Sequence, residues 1–212
     1  MVKTIKIDVV SDFNCPWCEV GRNRINAALA QIDKSVDVQI IWHPFLLCDV
    51  PQGGMPASQY MMERFGKDIS SHQQKMADDV AKEGINIRDR SPQMACTIDA
   101  HRLVELALDE LGPQKHNELH EKLIRGYFAE KMDLNNRDIL IEAGKSVGLD
   151  YAKIRVSFED DVGRQKFISK TEQAAIEKGI TGVQNITVNV KYNFNGAVHP
   201  QMILNVIKKE LA

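Results

Sequence analysis

An α/β fold interrupted by a long helical stretch is what this sequence predicts, and three observations carry the prediction. Near both ends of the 212-residue chain, at 5–10, 36–42 and 185–196, apolar residues alternate or run together as they do in strands. Between about 52 and 178 they recur instead at every third or fourth position, the period of an amphipathic helix. The two changes of period fall at breakers, the glycines and prolines of 51–56 and Gly179.

Residues 5–10, IKIDVV, read as a buried strand. A helix then begins at Asn14 or Cys15, because Pro16 suits a first turn where its missing N–H costs no intrahelical bond. Trp17, Val20, Ala28, Leu29 and Ile32 follow at helical spacing, and 36–42, VDVQIIW, reads as a second strand. Strand, helix, strand implies a βαβ unit with parallel strands. Residues 44–56 hold Pro44, Pro51, Gly53, Gly54 and Pro56, a loop and module boundary. Helices are then expected over 56–69, 72–84, 92–112, from 113 onward, after caps at Asn136 and Asp150, and over 160–178. The methionines and aromatics in this stretch read as helical core. The segment NITVNVKYNFNG (185–196) reads as two short strands around a turn. The final helix carries Met202, Ile203, Val206, Ile207 and Leu211 on one face, with Lys208 and Lys209 near its negative end.

Composition narrows the function. With 43% hydrophobic and 26% charged residues the chain is of ordinary globular type. A net charge of -2 gives no general attraction to nucleic acid or to an anionic membrane, so neither is expected as a partner. No run approaches the ~18 apolar residues of a membrane span. The N-terminus, MVKTIKIDVV, lacks the apolar core of a secretory signal, and a cytoplasmic location is expected. At this length roughly 70% of the unfolded surface can be buried, so the fold needs no disulfide or metal to hold it. Of the four cysteines, Cys48 and Cys96 read as small buried hydrophobes rather than reactive thiols.

The other two stand in SDFNCPWCEVG, residues 11–21, where a strand hands over to a helix. A cysteine at a helix N-terminus feels unsatisfied N–H groups and the positive end of the dipole, and both favour the thiolate. In a C-x-x-C pair the second sulfur lies one turn further in, close enough to form a disulfide. Cys15 is therefore expected to be an exposed nucleophile, and Cys18 a buried resolving thiol that releases a mixed disulfide. Asp12 and Glu19 would oppose thiolate formation if near. A zinc site would need two more ligands, and no second C-x-x-C exists. His43, His72, His101, His116, His120 and His199 are scattered; His116 and His120 share a helix face and are expected to be solvated. No metal or cofactor is expected. Arg102 reads as a member of a structural ion pair, and Trp17 as a shield over the motif or an apolar platform beside it.

DFNCPWCEVG, followed in order by WHPFLL, TIDAHRLVELA, GYFAEKMDLNNRDIL, AGKSVGLD and GITGVQNITVN, resembles the DsbA-like thioredoxin-fold proteins, specifically the FrnE-type group. The likeness covers nearly the whole chain. It implies a thioredoxin fold in two parts, 1–51 and 171–212, around an all-helical insertion over 52–170. It implies dithiol–disulfide chemistry at Cys15 and Cys18, with Pro16 and Trp17 completing the motif, on protein or small-molecule thiols and disulfides. In thioredoxin folds the strand after the insertion usually begins with a Val-Pro whose cis bond faces the cysteines and lines the substrate. Here that pair is Val183-Gln184. A cis bond before a non-proline residue costs ~2.5–4 kcal/mol, against ~0.5–1 before proline, so a trans bond is expected. Two rivals remain. A glutathione-dependent isomerase or transferase, of the hydroxychromene-carboxylate isomerase kind, generally has serine where Cys15 stands. A non-catalytic binding protein or chaperone with impaired exchange draws its support from Gln184.

Overall fold

In a computed structural model of the chain, residues 4–66, 70–87 and 93–212 are described. β1 (Thr4–Ser11) buries Ile5, Ile7, Val9 and Ser11 on one face, the alternation of a strand with one face in the core. α1 (Pro16–Leu29) carries the chain across to β2 (Asp37–Pro44), which pairs parallel with β1, Ile7 opposite Ile40 and Val9 opposite Trp42. β5 (Asn185–Val188) pairs antiparallel on the other side of β1, and β6 (Tyr192–Asn195) forms the edge, in the order β2-β1-β5-β6. α9 (Pro200–Leu211) joins α1 over one face of this sheet. Ile7, Val9, Ile186 and Val188 meet Ile25, Ala28, Ile203 and Ile207 there, all below about a tenth exposed. The strand–helix–strand opening and the strand–strand–helix close stand as the patterning predicts.

Between β2 and β5 the described chain is helical with one exception. The helices are α2 (Ala57–Phe65), α3 (Ser70–Ala81), α4 (Ile98–Leu111), α5 (Pro113–Ala129), α6 (Arg137–Val147), α7 (Tyr151–Glu159) and α8 (Asp161–Glu177). Asn136, Asp150 and Asp160 cap α6, α7 and α8, each accepting from backbone N–H groups of the first turn. The exception corrects the expectation of an all-helical insertion: β3 (Met55–Pro56) and β4 (Gln93–Met94) form a two-residue antiparallel ladder. The helix expected over 92–112 accordingly starts only at Ile98. The reason is tertiary. The Ala95 N–H donates to Asn14 Oδ1 at 3.2 Å and the Cys96 N–H to Asn135 Oδ1 at 2.9 Å, so these backbone donors are engaged outside any helix. Gly66, in the left-handed region at φ 62°, ends α2. The expected helix end at 67–69 and the expected start at Pro92 lie outside the described residues.

The helical stretch is joined to the sheet through the cysteine motif. Phe13, Cys18 and Val20 share one apolar core with Leu103, Leu123, Tyr127 and Phe128. A buried charge cluster ties α4, α6 and α8 together. Asp99 accepts from Arg137 Nε at 2.8 Å and from Arg164, and Arg102 Nη1 lies 3.8 Å from it. Arg102 also donates to the Asp160 carbonyl at 3.1 Å, which makes it the structural partner the sequence suggests. Among the described residues no helix is long and apolar enough to cross a membrane.

Candidate active site

β1 ends at Ser11, and the next four residues build a turn that delivers Cys15 to the head of α1. The Asp12 carbonyl accepts the Cys15 N–H at 3.2 Å. The Asp12 carboxylate is fully buried and accepts the N–H of Asn14 at 2.6 Å, the N–H of Leu47 at 2.9 Å and the Thr97 hydroxyl at 3.3 Å. Cys15 occupies the N-cap with extended backbone (φ -94°, ψ 110°), and its side chain caps nothing. Asn14 anchors the turn to the helical stretch: its Nδ2 donates to the Ala95 carbonyl at 2.8 Å, and its Oδ1 lies 3.1 Å from the Tyr127 hydroxyl. Asn14→Ala strips the buried Ala95 N–H and carbonyl of these partners. A stability loss of about 2–3 kcal/mol is expected in denaturant melts, and a loss near zero would show that the anchor is redundant.

The two thiols, both free, differ in setting. Cys18 is fully buried, as expected. Cys15 is only 5% exposed, which corrects the expectation of an exposed sulfur. The cause lies far away in sequence: the loop before β5 lies over it, with the Val183 carbonyl 4.0 Å from Cys15 Sγ. The Cys15 thiol is nevertheless held below its ordinary value. The largest cause is a hydrogen bond from the Cys18 thiol; burial opposes it, the N–H groups of Cys18 and Trp17 assist, and the Asp12 carboxylate works against. Cys18 is driven well above the ordinary thiol value, first by burial and then by Cys15 itself. Glu19 is held by Arg22 in a two-pronged pair (Nε–Oε2 2.7 Å, Nη2–Oε1 2.6 Å). Trp17 is 36% exposed beside the pair.

The peptide bond between Val183 and Gln184 is cis, which overturns the expectation of trans. The expectation of trans rested on the cost of a cis bond before a non-proline residue. The Val183 carbonyl faces Cys15, the Gln184 carbonyl accepts the Gly196 N–H at 2.6 Å, and the Gln184 side chain is packed away against α1, 2% exposed. Gly21 makes room for it, since a Cβ there would overlap the Gln184 amide.

Around this centre lie two open grooves. One, of about 310 Å³ and mainly apolar, runs from Asn14 and Pro16 past Leu47 and Cys48 to Met61 and Phe65. The other, of about 650 Å³, lies on the far side of the Val183 loop and is lined by Lys178, Asn185, Asn193 and Asn195. Cys48 is half-buried, its thiol pushed up to about 11 by burial. Cys96 is buried and accepts from Arg164 Nη2 at 3.2 Å. His116 and His120 are each 1% exposed, against the expectation of solvated rings. α5 turns this face inward against β2: His116 Nε2 accepts the Trp42 N–H at 2.8 Å, and the His120 ring stacks on Trp42 at 3.8 Å. Both ring nitrogens of His116 are engaged, the second by the Val104 carbonyl at 2.9 Å, so it has none to offer a metal.

Comparison with known proteins now decides the family. The DSBA-like thioredoxin domain matches residues 6–208. The chain belongs to that family. Bacillus subtilis YwbO is 30% identical over 186 residues, covering 82% of this chain and 83% of the relative. A solved structure described as a probable DsbA oxidoreductase, from Streptomyces coelicolor, superposes with a TM-score of 0.80 at 25% identity, covering 98% of this chain and 90% of that one. A 2-hydroxychromene-2-carboxylate isomerase superposes with a TM-score of 0.69 at 13% identity over 96% and 95%, a likeness of fold.

For this DSBA-like chain, the structure brings together Cys15, Cys18, Val183 and the buried Gln184, and leaves Cys48 and Cys96 outside the pair. Sequence reasoning passed over Asn14 and Asp12 as anchors of the turn. The signal was available, because Asp followed two residues later by Asn is side-chain turn chemistry. Nothing local pointed to the pairing of Gly21 with Gln184.

Proposed function

We propose that this chain is a thiol–disulfide oxidoreductase with Cys15 as nucleophile and Cys18 as resolving thiol. The observation that carries the reading is two free thiols one turn apart at one helix N-terminus, Cys15 at the N-cap facing the Val183 carbonyl and Cys18 buried behind it; their opposite perturbation agrees with it. The Cys15 thiolate attacks a substrate disulfide R–S–S–R′, a Cys15–S–S–R bond forms, and R′S⁻ leaves and takes a proton. The Cys18 thiol then loses its proton, its sulfur bonds to Cys15 Sγ, and R–S⁻ departs and is protonated. The net change is one substrate disulfide reduced and one Cys15–Cys18 disulfide formed; the reverse sequence oxidises a substrate dithiol. Pro16 and Trp17 form the surface beside the nucleophile, and Val183 and Gln184 line the substrate through their backbone. Protein and small-molecule thiols or disulfides are the substrates, in the cytoplasm. The helical unit over 52–170 supplies one wall of the apolar groove, and the ordered segments described above favour the FrnE-type group.

Insulin reduction in the presence of dithiothreitol tests this. The native chain should accelerate precipitation of the insulin B chain, and Cys15→Ser should return the rate to that of dithiothreitol alone. A native chain with no effect, or a Cys15→Ser variant with full effect, would sink the reading.

A further inference from the structure

The sheet face that α1 and α9 leave uncovered carries a cleft that the redox steps do not use. The strand register sets two rungs of side chains on that face: His43, Val10, Asn185 and Asn195 on one, Asp8, Thr187 and Asn193 on the next. Alternation turns them away from Ile7, Val9, Ile186 and Val188, which meet α1 and α9. The polar groove of about 650 Å³ over these rungs meets a smaller slot of about 110 Å³ at Val10, His43, Lys178 and Ile180, which line both. The slot is apolar along Val10 and Pro44 from the sheet, Phe167, Ala174 and Ala175 from α8, and Ile180 beyond it.

The charges along the cleft are paired except one. Asp8 lies 2.7 Å from His43 Nε2 and 3.4 Å from Lys6 Nζ, and Glu105 accepts from Lys170 at 2.6 Å. Lys178, where groove and slot meet, has no ion-pair partner among the described residues. The C-terminus of α8, whose partial negative charge would repel an anion, is closed: the N–H groups of Lys178, Gly179 and Ile180 donate to the Ala174, Ile176 and Ala175 carbonyls. The sheet adds neutral donors. Asn185 Nδ2 donates to the Oδ1 atoms of Asn193 and Asn195 at 3.2 and 2.7 Å. Asn193 Nδ2 donates to Asn185 Oδ1 and Thr187 Oγ1 at 2.8 and 2.9 Å. This network fixes the amides and leaves Asn195 Nδ2 and the Thr187 hydroxyl proton to serve a ligand.

We propose that this cleft binds a small monocarboxylate with an apolar tail, the tail in the slot and the carboxylate at the junction facing Lys178. Volume sets the tail. A cavity of about 150 Å³ admits benzene, so a slot of about 110 Å³ that opens into the groove takes a single ring or a short branched chain. Charge sets the head. One unpaired lysine balances one negative charge, whereas a dianion such as phosphate sets its second charge against Asp8. The site lies on the far side of the Val183 loop from Cys15 and does not rest on the redox reading.

The probe is phenylacetate, titrated calorimetrically into the full chain, where a ligand of this size should bind with a Kd of about 0.1–1 mM. 2-Phenylethanol, which lacks the charge, should bind about three- to tenfold more weakly, and Lys178→Met should weaken phenylacetate by the same factor. Ala174→Leu fills the slot with a good helix former and should abolish binding without unfolding α8. Cys15→Ser should bind as the native chain does. No saturable binding well above this range overturns the inference. So does equal binding of 2-phenylethanol, or an affinity that survives either Lys178→Met or a folded Ala174→Leu protein. Loss of affinity in Cys15→Ser would place the probe at the thiols and overturns it too. Displacement of phenylacetate by equimolar inorganic phosphate would overturn the choice of a monocarboxylate.

Discussion

Iodoacetamide at pH 7 should modify Cys15 at least about tenfold faster than Cys48, and faster still than Cys18. The argument is ionisation opposed by nucleophilicity. Cys48, pushed up to about 11, is ionised at pH 7 to roughly one part in ten thousand. Cys15 lies below the reference value of 9.0, so roughly one part in a hundred or more is thiolate. That hundredfold advantage is reduced, because a lower-pKa thiolate is the weaker nucleophile; a Brønsted coefficient of ~0.4–0.5 over two units removes a factor of roughly eight. Cys18 has no compensating access, being fully buried and driven well above the ordinary thiol value. The Cys15 rate should rise with pH and level off earlier than that of Cys48, whose thiol is pushed up to about 11. Cysteine-resolved mass spectrometry of a time course reads all of this. Cys18 or Cys48 reacting first, or a Cys15 rate that levels off no earlier than that of Cys48, would reverse the assignment of nucleophile and resolving thiol.

Asp99→Asn should destabilise the fold by about 3–5 kcal/mol. Asp99 is one carboxylate facing three guanidinium groups, from Arg102, Arg137 and Arg164, and its side chain is about one-tenth exposed. Arg102 and Arg164 are as enclosed as Asp99, whereas Arg137 reaches solvent. Removing the negative charge while keeping the shape leaves two enclosed cations without their counterion, the costly half of breaking a buried pair. The burial of Arg102 already disfavours its charged form, and Asp99 is the principal group working the other way. The expected signature is a lower urea midpoint with an unchanged m-value, since the surface exposed on unfolding is the same. A loss below about 1 kcal/mol would mean that water or the Asp160 carbonyl satisfies the arginines without Asp99. Because the cluster joins α4, α6 and α8 and includes the Arg164 contact to Cys96, the Cys96 thiol should also become more accessible in the variant.

What the sequence determined by itself was whatever depends on neighbours along the chain. Period-two and period-3.6 patterning located the sheet strands and most of the helices. Asn136, Asp150 and Pro16 marked helix starts because capping is a matter of one turn of backbone. The C-x-x-C spacing placed two thiols one turn apart at a helix N-terminus for the same reason. Tertiary structure decided what depends on residues distant in sequence. Cys15 is covered because the Val183 carbonyl, 168 residues on, lies over it. The helix expected from 92 is delayed to Ile98 because Asn14, 81 residues away, takes the Ala95 N–H. The Val183-Gln184 bond is cis in a setting of Cys15, Gly196 and Gly21, none of them adjacent to it in the chain. His116 and His120 are buried because α5 turns that face toward Trp42 rather than to water. For the covered thiol, the delayed helix and the buried histidines, the local preference is worth a few kcal/mol at most, and a packed core of many contacts is large enough to override it.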